Sequence, residues 1–178
     1  QSAQFRGETY APPNFIKIPT LRAPCAVIYW VSVRKTYHHR RKGKTMFNSI
    51  SMTQMAATIA LAMGAGVPSQ ADRSIPLVDA FVERNLGVRK ADRVLLYNPD
   101  CVGLWLYQKY TDLFIPVTNA TQLAVPVSTV NPSWTPVCFG TMYTGVLPEV
   151  HGIQGYTKPV ITVDSLFDSL ARSGKRVA

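Results

Sequence analysis

Thr135 followed by Pro136 is the place in this 178-residue chain where residue type and spacing could do chemistry. A threonine hydroxyl can accept the unpaired N–H groups of a first helical turn, and proline at the first helical position loses no hydrogen bond. The pair predicts a helix over residues 136–143, with Gly145 just past its end as a residue that tolerates positive φ. At a helix N-terminus the backbone donors and the helix dipole favour negative charge, so a hydroxyl there can hold a phosphate and stabilise an alkoxide. Thr135 is therefore a candidate nucleophile; its plain alternative is a helix cap. Upstream, residues 92–97 (DRVLLY) read as a buried strand that ends at Asn98-Pro99-Asp100. Ligands of open α/β sheets bind at the carboxyl ends of strands. Asp100 is accordingly a candidate carboxylate ligand for zinc or another divalent ion, and its alternative is a cap on the following helix.

Thr135 stands nine residues before Thr144-Gly145, with Pro148 and His151-Gly152-Ile153 beyond, a set of residue types at fixed spacing over 19 positions. This segment resembles the nucleophile segment of the alkaline phosphatase superfamily, in its type I phosphodiesterase and nucleotide pyrophosphatase branch. The resemblance covers about residues 92–178. It implies an α/β fold with a mostly parallel sheet flanked by helices. It also implies a hydrolase of phosphate esters or nucleotides that uses two divalent metal ions, zinc by analogy, and a phospho-threonine intermediate. Asp100 and Thr135 would both bind metal, an ion held partly by Asp100 would lower the pKa of the Thr135 hydroxyl, and His151 would support its loop rather than ligate.

Three departures qualify the resemblance. The branch commonly has Asp-Gly where this chain has Asp100-Cys101, and it places an Asn after His-Gly-Ile where this chain has Gln154, Gly155 and Tyr156. Diesterase and monoesterase chemistry both stay open on that account. The family's downstream Asp-x-x-x-His and Asp-His motifs have no counterpart, since no histidine follows His151 and Asp164 and Asp168 read as a cap and a solvated face. The expectation is the front part of a longer hydrolase, incomplete at Ala178 and inactive by itself. A phosphomutase-type relative is the alternative within the fold, and Thr135 speaks against a sulfatase.

Composition bounds the rest. Apolar residues make up 47% of the chain, which marks a globular protein. The formal net charge is +9, yet residues 1–45 hold nine Lys/Arg against Glu8 alone, whereas residues 46–178 hold ten against nine acids. The basic excess thus belongs to residues 1–45, a tail or read-through ahead of Met46, and residues 46–178 form the hydrolase portion. The run Arg34 to Lys44 could grip phosphate backbones, with Tyr37 and the histidines stacking on bases; this non-enzymatic nucleic-acid reading competes with a solvated tail. His38 and His39 are adjacent, not spaced i, i+4 as two ligands on one helix face would be. Three cysteines without C-x-x-C spacing give neither a disulfide framework nor a zinc site, so a reducing, cytoplasmic setting is expected. No apolar run reaches the roughly 18 residues of a membrane span.

The elements that must position Thr135 and Asp100 follow from periodicity. Met52, Met55, Ala56, Ile59, Ala60 and Met63 recur at helical spacing and predict an amphipathic helix over 51–64 closed by Gly64. The alternative there is a secretory signal, with residues 55–67 as its apolar core and Ser69-Gln70-Ala71 as its cleavage site. A helix over 77–86 ended by Gly87, a helix over 101–114 and a strand over 122–127 are expected next. Pro126 argues for an edge or a bulge in that strand. Residues 128–134 form the loop that delivers Thr135, 156–160 read as extended, Asp164 as the cap of a helix through Leu170, and 175–178 as the start of a strand.

Overall fold

The computed structural model describes residues 50–87 and 90–178, together with the backbone of two strands, β1 (Cys25–Ala26) and β2 (Tyr29–Val33). The basic run at 34–44 with His38 and His39 lies outside the described residues, as does Met46.

The centre of the described fold is α1 (Met55–Ala62), entered through a 3₁₀ turn at Met52–Gln54. Ser51 and Gln54 start it by a reciprocal box: Ser51 Oγ accepts from the Thr53 N–H at 3.3 Å, and Gln54 Oε1 accepts from the Ser51 N–H at 3.0 Å. An amphipathic helix was expected. Instead every residue from 52 to 60 is buried, and Leu61 alone in the helix is exposed. The reason is composition: with Ala56, Ala57, Ala60 and Ala62 presenting only methyl groups, neighbours can close on every side, and the one polar interior side chain is satisfied. Thr58 Oγ1 donates to the Gln54 carbonyl at 2.7 Å and accepts from the Ile75 N–H at 2.9 Å. The methionines are core filler, as expected, with Met55 1% and Met52 7% exposed. Burial of Met55 and Ile59 contributes about 1.5–3 kcal/mol each, and Ile59→Ala is the single change that would open this centre.

α2 (Pro76–Leu86) packs Val78 and Val82 against Ala62 and Ile75, and its chain leaves at Gly87. At the far end of the sequence α7 (Leu166–Arg172) buries Leu166 and Leu170 against Ala56, Ile59, Ala60 and Met63 of the α1 region. Asp164 was expected to cap α7. The cap is Ser165, whose hydroxyl accepts from the Asp168 N–H at 3.2 Å while Asp168 Oδ2 accepts from the Ser165 N–H at 2.9 Å. Asp164 instead accepts from the Ser69 N–H at 2.9 Å and pairs with Arg172 at 2.6 Å, tying α7 to the 66–69 loop.

Helices and strands are mixed, and the strand pairing is parallel but short. β3 (Arg93–Val94) pairs with β1, and β4 (Ala124–Ser128) pairs with β2 in the register Val31↔Pro126. These are two separate two-stranded ladders, not one continuous sheet among the described residues. Both partners, β1 and β2, fall within residues 1–45, the part set apart by its charge. β4 alternates as a half-buried strand should: Val125 and Val127 face inward, and Ala124 and Pro126 face out. The buried strand expected over 92–97 is a two-residue strand within an extended segment, with Leu95 70% and Tyr97 66% exposed. Val94 and Leu96 alone turn toward the core there, so the run obeys period two rather than burial on both faces.

Where one helix was expected over 101–114 there are α3 (Leu104–Lys109) and a 3₁₀ turn at Thr111–Phe114; α4 (Ile115–Ala120) follows, and none of the three has a buried residue. Residues 156–160 and 175–178, expected as extended or strand pieces, pair with nothing as strands. Among the described residues no helix is long and apolar enough to cross a membrane.

Candidate active site

α5 (Thr135–Thr144) has the expected extent, and its end is set by Gly145 at φ 77°. A Cβ at Gly145 would lie 2.5 Å from Ala71 Cβ, so the left-handed turn and the close approach of residues 71–72 both require glycine. Thr135 is not the cap. Trp134 takes that place with extended backbone and no side-chain bond, and its carbonyl accepts the first helical bond from the Cys138 N–H at 2.9 Å. Pro136 in the first turn brings no N–H that would need a partner. The Thr135 hydroxyl is thereby left for another use, and it donates to Asp100 Oδ1 at 3.0 Å.

The two candidate residues, 35 positions apart in sequence, are thus side by side, in the half-exposed to exposed layer of the surface. Two contacts hold the Asp100 loop along α5. Asp100 itself reaches the first turn, and Asn98 Nδ2 donates to the Tyr143 hydroxyl in the last turn at 2.8 Å. Asp100 Oδ1 also accepts from the Cys101 N–H at 2.9 Å, which fixes the carboxylate through its own backbone. Cys101 has φ 59°, the left-handed region that favours glycine. Position 101 is therefore one whose backbone glycine would suit best.

The rest of the motif builds scaffold. α6 (Pro148–His151) follows α5 after a short turn, and Gly152 leaves it at φ 81°. His151 is 2% exposed and uses both ring nitrogens: Nδ1 accepts from the Ile153 N–H at 3.1 Å, which leaves the hydrogen on Nε2 facing Thr141 Oγ1 at 3.0 Å. Burial pulls its pKa below the ordinary 6.5, against smaller upward pulls from a backbone bond and Glu149. The ring lies on Gly140, where a Cβ would come within 2.6 Å of His151 Cε1. Thr144 Oγ1 donates back to the Gly140 carbonyl at 2.6 Å.

Sequence reasoning missed Gly140 as the floor beneath the imidazole, although a glycine inside a helical pattern signals close packing. It also missed the pairing of Trp134 with Tyr156, whose rings stack 5.6 Å apart at 28° beside the Thr135 hydroxyl's own residue. Residues 22 apart with no periodicity between them carry no such signal in sequence.

As a metal centre the donor set falls short. A zinc ion takes three or four protein ligands, and Asp100 and Thr135 offer one carboxylate and one hydroxyl. Among the described residues no group of three or more His, Cys, Asp or Glu is placed to hold a metal ion. Searches among protein-family models, curated proteins and solved structures found no match to this chain.

Proposed function

We propose that this chain carries the nucleophile and its carboxylate partner of a phosphoester hydrolase related to the alkaline phosphatase superfamily, with Thr135 as nucleophile. The single observation that supports the reading most is the 3.0 Å bond from Thr135 Oγ1 to Asp100 Oδ1 at the start of α5. A carboxylate that accepts the hydroxyl hydrogen points an oxygen lone pair outward, toward the phosphorus of an ester. In the reaction, Thr135 Oγ forms a bond to phosphorus, and its proton passes to Asp100. The bond from phosphorus to the ester oxygen breaks with its electron pair going to that oxygen. Asp100 passes that proton to the departing ester oxygen; water then bonds to phosphorus through its oxygen, the bond from phosphorus to Thr135 Oγ breaks with its pair going to Oγ, and a water proton restores the Thr135 hydroxyl.

The N-terminal N–H groups of α5 favour the phosphoryl oxygens. An α/β fold with a mostly parallel sheet flanked by helices goes with this reading, and the parallel pairing of β1 with β3 and of β2 with β4 supports it. Two divalent ions, zinc by analogy, go with the superfamily reading; Asp100 and Thr135 would each supply one donor to them, and the described residues hold no complete set of ligands. The substrate is a phosphate ester or nucleotide, and the free thiols of Cys101 and Cys138 fit a reducing, cytoplasmic setting.

The test is acid-quench trapping in the full-length protein with bis(p-nitrophenyl) phosphate and p-nitrophenyl phosphate, zinc added, followed by peptide mass spectrometry. A phosphoryl or aryl-phosphoryl adduct on Thr135, absent in Thr135→Ala, is expected. Turnover by Thr135→Ala at the parent rate would remove the hydroxyl from its role.

A further inference from the structure

Every residue from Tyr156 to Thr162 is exposed, and Val160 reaches 87%. Residues 157–162 run without a turn or a bend on the way from α6 to α7. Both ends of the stretch are fixed. At its start the Ile153 N–H is held by His151 and the Tyr156 ring stacks on Trp134; at its finish the Asp164 carboxylate accepts from the Ser69 N–H and pairs with Arg172. Between these anchors no backbone N–H or carbonyl of residues 157–162 has a partner among the described residues. The composition is that of a strand, since Thr157, Val160, Ile161 and Thr162 are all β-branched, and Pro159 belongs on a sheet edge. A taut, unpaired stretch of this kind is a template for another strand.

We infer that residues 158–162 are a self-docking edge, on which the same segment of a second copy of this chain pairs antiparallel about a two-fold axis at Val160. The residues themselves select this register. Pro159 has no N–H, so it must fall where the ladder forms no bond. With Val160 opposite the second copy's Val160 as a bonded pair, Pro159 meets Ile161 at a non-bonded position and Lys158 meets Thr162 at a bonded one. Every N–H and carbonyl of residues 158, 160 and 162 then bonds across the axis. A parallel, in-register pairing would set Lys158 on Lys158, and like charges directly opposite destabilise a ladder. An axis at Ile161 would carry the ladder into the bend at Val163 and onto Asp164, whose carboxylate Arg172 already holds. The opposite edge of the strand, formed by residues 157, 159 and 161, is blunted by Pro159, so the assembly closes at two chains and does not grow into a fibre. Because the segment is held at both ends before it pairs, little ordering entropy is lost on association.

The test is sedimentation velocity of the full chain over about 1–300 µM, the range suited to so small an interface. A monomer–dimer equilibrium is expected. Val160→Pro removes the central N–H and Val160→Lys sets like charges on the axis, and each should weaken the dimer at least about tenfold. With residue 160 at 87% exposure both variants should keep the parent's circular dichroism spectrum. Crosslinking reads the register, in a background of Cys25→Ser, Cys101→Ser and Cys138→Ser. Val160→Cys should form a disulfide between chains under mild oxidation, because bonded antiparallel partners stand about 5.5 Å apart at Cα. Lys158→Cys should not, its two copies lying about 13 Å apart along the ladder. A chain that stays monomeric throughout, a dimer that keeps its strength in both Val160 variants, or equal crosslinking at 158 and 160 would overturn the proposal.

Discussion

Replacing Gly140 by alanine reverses in sign between a helix-propensity argument and this structure. Inside an exposed helix, Gly→Ala stabilises by about 0.5–1 kcal/mol. At Gly140 the added methyl would meet His151 Cε1 at 2.6 Å, Nδ1 at 2.9 Å and Nε2 at 3.1 Å. The imidazole has no room to swing aside, being 2% exposed and held by bonds to Ile153 and Thr141. Overpacking costs about 1–3 kcal/mol, and displacing the ring leaves buried polar groups unpaired at about 1–3 kcal/mol more. After subtracting the propensity gain, Gly140→Ala should destabilise by about 1–5 kcal/mol. With about 2–4 °C per kcal/mol for a chain of this size, that is a fall in Tm of several degrees or more. Circular dichroism melts and urea titrations at neutral pH measure it, and the double variant Gly140→Ala/His151→Ala completes the cycle. The alanine's cost should shrink sharply once the imidazole is gone. A Gly140→Ala protein as stable as its parent, or a cost independent of residue 151, would refute the close-approach reasoning.

Two further outcomes follow from the same segment. Cys101 sits at φ 59°, a conformation that costs a β-carbon residue about 1–2 kcal/mol, and glycine's greater freedom in the unfolded chain takes back about 0.4–1 kcal/mol. Cys101→Gly should therefore raise stability by a few tenths to about 1 kcal/mol in urea titrations, and a loss instead would mean that the thiol makes a contact worth keeping. His151 has its folded pKa held below 6.5 by burial. Above pH 6.5 both folded and unfolded states are neutral and its contribution is fully present; as pH falls below 6.5 the unfolded chain takes up the proton first, and stability drops until the depressed folded pKa is passed. Urea midpoints at pH 7.5 and 5.5 should show that drop, and His151→Gln should abolish it. A separate loss belongs to lower pH, because Asp164 is held below 3.8 mainly by its bond to Arg172 and loses that contribution as pH falls through its folded pKa.

The extents of α2 and α5 were legible because local chemistry writes them: Pro76 and Pro136 at the starts, Gly87 and Gly145 at the ends. The proximity of Asp100 to Thr135 was reachable through the rule that strand ends and helix starts meet at one rim, even though the strand before Asp100 turned out short and half exposed. What periodicity could not give was the surroundings. The pattern of α1 is helical whichever faces are covered, and only the small size of its alanines hints that neighbours close all round it. Trp105 and Leu113 recur at helical spacing too, yet they are 65% and 76% exposed, since an apolar stripe is buried only where some other element meets it. At residues 164–165 two adjacent cap-forming side chains competed, and the serine won because the aspartate found Arg172 and the Ser69 N–H.

The partnership of α1 with α7 sets an order on how this molecule can be made. Leu166 and Leu170 complete the packing around Ile59 and Ala60, and the 66–69 loop gains bonds to Ser173 and Asp164 from the same distant stretch. During synthesis the apolar surface of residues 55–63 therefore leaves the ribosome about a hundred residues before its cover does. At translation rates of about 5–20 residues per second, that is several seconds or more with the centre uncapped.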